Sequence, residues 1–170
     1  MENWRFKAKS ITKFNPNLKE NSIEIEDDWT SYSDIGKNFN ENKLSYLDYL
    51  STEKTFINAC LEFLKLSKSN KFQIIELHKI SESKDFKKNE DDKILLKYYK
   101  NLKEKTEIDI IHINYYIQLV LREYASFAIQ IDEKTNSLIY FGYDYHMYFV
   151  SDIDLSVLEK DILALNIFIS

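Results

Sequence analysis

Asp144 and His146 stand two residues apart in the run IYFGYDYHMYFV, from Ile139 to Val150, and are the pair in this chain best suited to moving a proton. Side chains alternate along an extended strand, so both would project to one side with Tyr140, Gly142, Tyr148 and Val150. Ile139, Phe141, Tyr143, Tyr145, Met147 and Phe149 would form the opposite face, a dense core surface. A carboxylate within reach of an imidazole supports general acid–base chemistry when a nucleophile is adjacent, so a small hydrolase or nuclease using Asp144 and His146 is one reading. No Ser or Cys motif accompanies the pair, which favours a structural carboxylate that fixes a tyrosine or an imidazole. His78, His112 and His146 lack the i, i+4 pairing of a zinc site. Cys60 is the single cysteine, which leaves neither an intramolecular disulfide framework nor a cysteine-based zinc site.

A second constellation is acidic and aromatic. Glu24, Glu26, Asp27 and Asp28 precede Trp29, with Tyr32 and Asp34 just beyond. Carboxylates clustered beside Trp and Tyr suit contact with a cationic partner, because aromatic anchors and ion pairs dominate interface energetics. The plainer alternative is a solvated loop whose Trp29 plugs the core. Asp27, Asp28 and Asp34 are hard oxygen ligands, yet neither calcium-loop spacing nor a turn glycine goes with them, so no metal is expected. No Walker or dinucleotide pattern occurs, and no cofactor is expected. Gly142 inside a strand marks a bulge or a close backbone approach rather than a phosphate site. Arg122-Glu123 reads as a surface or helix-terminal ion pair of little energetic weight. The twelve tyrosines suggest protein recognition, since Tyr is rigid and amphipathic.

Positioning these groups requires a sheet and helices. Trp4, Phe6 and Ala8 alternate with charge, which predicts an edge strand ending at the turn Asn15-Pro16-Asn17. Ser22 to Glu26 reads as a second short strand, and the loop after it ends at Gly36. Ser45 with Asp48 forms a capping-box start for an amphipathic helix whose stripe is Leu47, Leu50, Ile57, Cys60, Leu61 and Leu64. Lys71 to Ile80 carries a buried-strand pattern. The almost wholly charged Ser81 to Lys93 reads as a mobile loop. Ile94 to Leu102 predicts a short helix, and Asn114 to Tyr124 a second strong one. Ser126 to Ile131 and the run from Ile139 form an antiparallel hairpin, followed by a helix from Leu155 to Leu165 and a final strand over Ile167 to Ile169. The sum is one α+β domain over residues 1–170, an antiparallel or mixed sheet with helices packed against it.

Composition bounds the function classes. A chain of 170 residues can bury a single sizeable core, and 44% hydrophobic content excludes a disordered chain. Two glycines disfavour glycine-rich phosphate loops. A net charge of −5 opposes nucleic-acid binding, which needs a basic footprint, and is compatible with docking onto a basic protein. Without a secretory h-region or an apolar run near the ~18 residues that span a bilayer, the expectation is a cytoplasmic protein with no membrane partner.

Four segments carry a resemblance: WTSYSDIG from Trp29, KLSYLDYLSTEKTFINACLEFL from Lys43, LREYASFAIQ from Leu121, and IYFGYDYHMYFV with the hydrophobic tail after it. Together they resemble small bacterial immunity proteins encoded beside polymorphic or contact-dependent growth inhibition toxins, in which a strand like FGYDYYMYI recurs. His146 departs from the tyrosine of that strand, and Ser81 to Leu102 has no counterpart. The resemblance implies a non-enzymatic protein that binds a cognate toxin domain, often a nuclease, and masks its active site or substrate surface. The implied contact patch is Glu26, Asp27, Asp28, Trp29, Tyr32 and Asp34, with Tyr143, Asp144, Tyr145 and Tyr148 as a weaker second. An adaptor module of a phage or secretion system is the other non-enzymatic reading.

Overall fold

The computed structural model describes residues 8–15, 28–39, 41–86, 90–132 and 137–170. In chain order the strands are β1 (Ala8–Thr12), β2 (Asn38–Phe39), β3 (Asn42–Lys43), β4 (Phe72–Lys79), β5 (Glu107–Ile108), β6 (Ala125–Asp132), β7 (Ser137–Phe141), β8 (His146–Val150) and β9 (Phe168–Ile169). Four α-helices accompany them: α1 (Tyr46–Ser67), α2 (Glu90–Asn101), α3 (Ile113–Leu121) and α4 (Glu159–Ala164). Seven strands make one antiparallel sheet in the order β5-β4-β6-β7-β8-β1-β9, while β2 and β3 pair separately. The architecture is α+β, as the alternating and helical patterns predict.

The capping box at Ser45 forms. Its hydroxyl accepts from the Asp48 N–H at 3.1 Å, and the Asp48 carboxylate accepts from the Ser45 N–H at 3.2 Å. That satisfies two donors the first turn would leave orphaned. The face α1 turns inward keeps Ile57, Cys60 and Leu64 of the predicted stripe, with Leu50 and Leu61 at its margin, but is centred on aromatic positions. Tyr49, Glu53, Phe56, Cys60, Phe63 and Leu64 are buried, whereas Leu47 is 75% exposed. The aromatics bury more area than the leucines and set the helix rotation. Phe63 stacks on Phe149 of β8 at 4.4 Å, Phe56 meets Tyr145 edge-on at 5.0 Å, and the Cys60 thiol lies 3.2 Å from the Met147 sulfur. Cys60 is therefore a core residue, and burial pushes its thiol far above the usual range.

The run Ile139 to Val150 is not one strand. It is a hairpin of β7 and β8, with Phe141 opposite Met147 and Ile139 opposite Phe149. Ile139, Phe141, Met147 and Phe149 still share the buried face, while Tyr140 and Tyr148 lie on the other.

Other differences are local. β1 is flanked by β8 and the two-residue β9, so it is not an edge strand; Trp4, Phe6 and the turn at Pro16-Asn17 lie outside the described residues, as does the strand expected over Ser22 to Glu26. The charged segment after β4 is shorter as a loop than its composition predicts. Ser83–Asp85 form a 3-10 turn, Phe86 is buried against Tyr124 at 3.9 Å, and α2 already begins at Glu90. No described helix is long and apolar enough to cross a membrane.

Candidate functional site

The β7–β8 turn is built on unusual backbone. The His146 N–H donates to the Tyr143 carbonyl at 3.0 Å, and the two central residues, Asp144 and Tyr145, both have φ of +55°. This is the type I′ pattern, whose twist matches the flanking strands but favours Asn, Asp or Gly at both positions. Asp144 suits it. Tyr145 does not, because a bulky side chain at positive φ is an outlier. A close approach supports the turn from below: the Gly142 N–H donates to the His146 carbonyl at 2.8 Å, and a Cβ on Gly142 would lie 3.2 Å from that oxygen and from the Tyr148 ring.

What holds Tyr145 in place is burial. Its ring sits edge-on to Trp29 at 5.2 Å, to Tyr49 at 6.2 Å and to Phe56 at 5.0 Å. The turn thus drives one tyrosine into the core and leaves its neighbour outside. Tyr143 is 91% exposed, and Asp144 is exposed beside it.

The Trp29 loop closes on the same aromatic cluster. Trp29 lies 5.8 Å from Tyr49, and Tyr32 stands edge-on to Tyr49 at 5.0 Å. Trp29 is half-buried and packs on the core, so it acts as the plug of the plainer reading while one side stays accessible. Asp28 accepts from the Trp29 N–H at 2.8 Å and from the Lys13 ammonium at 2.9 Å, and that ammonium lies 3.8 Å from the Trp29 ring. Burial lowers the Lys13 pKa against the opposing pull of Asp28. Asp34 organises the loop itself, accepting from the N–H groups of Thr30 (2.9 Å) and Ser31 (3.1 Å) and from Lys37 (2.8 Å). Burial works against its charge, but the Lys37 ammonium and these N–H donors hold its carboxyl below the usual range.

Glu123 joins the two segments. It follows α3 with φ of +60°, and its pKa is raised, first by burial and then by the nearby carboxylates of Asp34 and Asp144. Lys37 and the Ser33 backbone N–H oppose that rise. The loop of residues 28–34 and the turn of residues 143–145 therefore form one end of the molecule, with Glu123 between them. That end presents Tyr143, Asp144, Glu123 and the outer side of Trp29.

Directly beneath lies a charge network that no local spacing signals. Arg122 is buried, not superficial as its position beside Glu123 suggests. Its guanidinium donates twice to Glu53 of α1, at 2.7 and 2.8 Å, and lies 3.5 Å from Asp92 of α2. Gln118 adds a bond to Glu53 at 2.9 Å, and the Tyr124 hydroxyl one to Asp92 at 3.1 Å. The rings of Tyr32 and Tyr46 cover the guanidinium at 5.7 and 6.0 Å. This network ties three helices together under the Trp29 loop.

The remaining expected contacts fall elsewhere. Glu24, Glu26 and Asp27 lie outside the described residues. Tyr148 is half-buried on the opposite sheet face, 6.3 Å from Tyr140, and does not join the Tyr143 end. Asp144 and His146 do not share a strand face, because Asp144 sits in the turn while His146 opens β8 near Phe14, at 6.2 Å. Among the described residues no three His, Cys, Asp or Glu side chains are grouped to hold a metal ion. No family model matches this chain, and neither does any curated protein or solved structure.

Proposed function

We propose that this chain is an immunity protein that binds a cognate toxin domain with a basic surface, of the nuclease class, and covers its active site or substrate face. The observation that supports this most is the meeting of the two acidic–aromatic segments, distant in sequence, at one end of the fold through the 5.2 Å Trp29–Tyr145 contact. A surface of this kind suits recognition of a cationic protein. An exposed tyrosine supplies contact area at low entropic cost, and the carboxylates of Asp144 and Glu123 steer a basic partner during association. The sequence resemblance to immunity proteins of contact-dependent toxin systems points the same way.

The test is co-expression with the C-terminal domain of the large toxin encoded immediately upstream. Growth should be rescued, and the purified pair should associate more slowly as ionic strength rises. If the upstream domain is neither toxic nor bound, the reading fails.

A further inference from the structure

The β7–β8 turn carries two local costs at one residue. Tyr145 holds φ of +55°, a region that bulky side chains avoid, and its hydroxyl is buried without a hydrogen-bond partner among the described residues. Asn-Gly at the two central positions would build the same type I′ turn with neither cost. What Asp144-Tyr145 gains is an anchor. The Tyr145 ring is wedged against Trp29, Tyr49 and Phe56 at 5.2, 6.2 and 5.0 Å, so the turn cannot tilt without drawing that ring out of the core. The Gly142 N–H, donating to the His146 carbonyl at 2.8 Å, closes the hairpin beneath it. Strain retained at one residue in this way is typical of sites that act by being held ready.

The group held ready is the pair just before the anchor ring. Tyr143 is 91% exposed and Asp144 is exposed beside it, so a flat ring and a carboxylate stand clear of the surface on consecutive residues. A rigid projection of this kind loses little freedom on docking and suits a concave site. Its chemistry narrows the site further. A nuclease cleft that accepts a nucleic-acid strand reads flat bases by stacking and phosphates by positive charge. Tyr143 offers the ring and Asp144 the anion. Resting on the toxin-binding reading above, we propose that the Tyr143–Asp144 tip enters the substrate cleft of a nuclease toxin domain in place of a nucleotide, with Tyr145 as the residue that positions it. Inhibition is then competitive with nucleic acid rather than exerted from a distant face.

The upstream toxin domain is assayed on short fluorescent oligonucleotides, DNA and RNA, against the full chain. The apparent inhibition constant should rise linearly with substrate concentration. Tyr143→Cys carrying a benzophenone should photo-cross-link to toxin-domain peptides whose residues are required for cleavage; Cys60 is buried and does not take the label. Tyr145→Asn suits positive φ but lacks the ring. It should raise the inhibition constant at least about tenfold, and lower the amide order parameters of Tyr143 and Asp144 in the free protein from about 0.85 to below about 0.6. Tyr145→Phe keeps the ring and should retain wild-type order and inhibition, which keeps the test intact even where Tyr145→Asn fails to fold. Inhibition that ignores substrate concentration, cross-links outside the cleft, a tip already flexible in the wild type, or a bound domain that cuts neither oligonucleotide would each overturn the proposal and leave toxin binding standing. A domain that is not bound at all overturns both.

Discussion

Arg122 grips Glu53 through two hydrogen bonds, Nε to Oε2 at 2.7 Å and Nη2 to Oε1 at 2.8 Å, with both side chains sealed from water. The third member, Asp92, leaves the network with two carboxylates for one guanidinium. Tyr124 and Gln118 supply neutral donors to the carboxylates, while Arg122 Nη1 has no hydrogen-bond partner among the described residues. Among the described residues Arg122 is the cation that faces both carboxylates.

Removing that cation should therefore cost more than weakening one anion. Arg122→Met leaves the Glu53 carboxylate buried without its counter-charge, and breaking a buried pair from one side typically costs roughly 3–5 kcal/mol. Glu53→Gln keeps a carbonyl acceptor for Arg122 and leaves Asp92 as its counter-charge, so it should cost less. Urea midpoints of the two variants decide this. Equal midpoints would mean that the carboxylates do not need the guanidinium.

Tyr145→Phe is expected to stabilise the protein. The Tyr145 hydroxyl is buried without a hydrogen-bond partner among the described residues, and the nearby Tyr49 hydroxyl donates instead to the Leu121 carbonyl at 2.9 Å. A stranded polar group costs about 1–3 kcal/mol, and phenylalanine removes it while keeping the ring between Trp29 and Phe56. A higher urea midpoint for Tyr145→Phe is the expected result. A lower one would show that the hydroxyl is satisfied in solution.

How much of this was legible in the sequence depends on whether the signal is local. The Ser45–Asp48 box and the alternation from Ser126 to Ile131 are local, and α1 and β6 form close to where they indicate. The turn inside Ile139 to Val150 was hidden for a specific reason. Phe141 faces Met147 across the hairpin, so odd-numbered residues point inward on both strands and the alternation reads straight through the bend. Asp-Tyr also lacks the glycine that marks such turns. The Arg122–Glu53 pair spans 69 residues, and nothing near either side chain announces the other. Individual members of the Trp29 and Tyr143 segments were legible, but their meeting through Glu123 is tertiary.

Glu123 gives a pH-dependent prediction. Burial, with Asp34 and Asp144 nearby, raises its folded pKa. The folded state then takes up a proton before the unfolded chain does, so the charged form is a penalty at neutral pH. That penalty is relieved as pH falls through the folded value and is gone below the unfolded value, about 4.3. Glu123→Gln should melt at a higher temperature than wild type at pH 7, and the difference should vanish by pH 4. A difference that stays constant over that range would mean the carboxylate is not the cause.

Tyr143 and Trp29 should separate recognition from stability. Tyr143 is 91% exposed and braces nothing, so Tyr143→Ala should leave the urea midpoint within about 0.5 kcal/mol of wild type. If it is the anchor of the toxin contact, the same change should weaken complex formation by at least tenfold, or about 1.4 kcal/mol. Trp29 packs on Tyr49 and Tyr145 and receives the Lys13 ammonium on its ring. Trp29→Ala should therefore lower the midpoint, by roughly 2–3 kcal/mol for a half-buried indole, and weaken binding as the turn loses its support. Titration calorimetry against the upstream toxin domain, run beside the melts, reads both quantities. If Tyr143→Ala binds like wild type, the anchor lies elsewhere, and if Trp29→Ala weakens binding without loss of stability, Trp29 touches the partner directly.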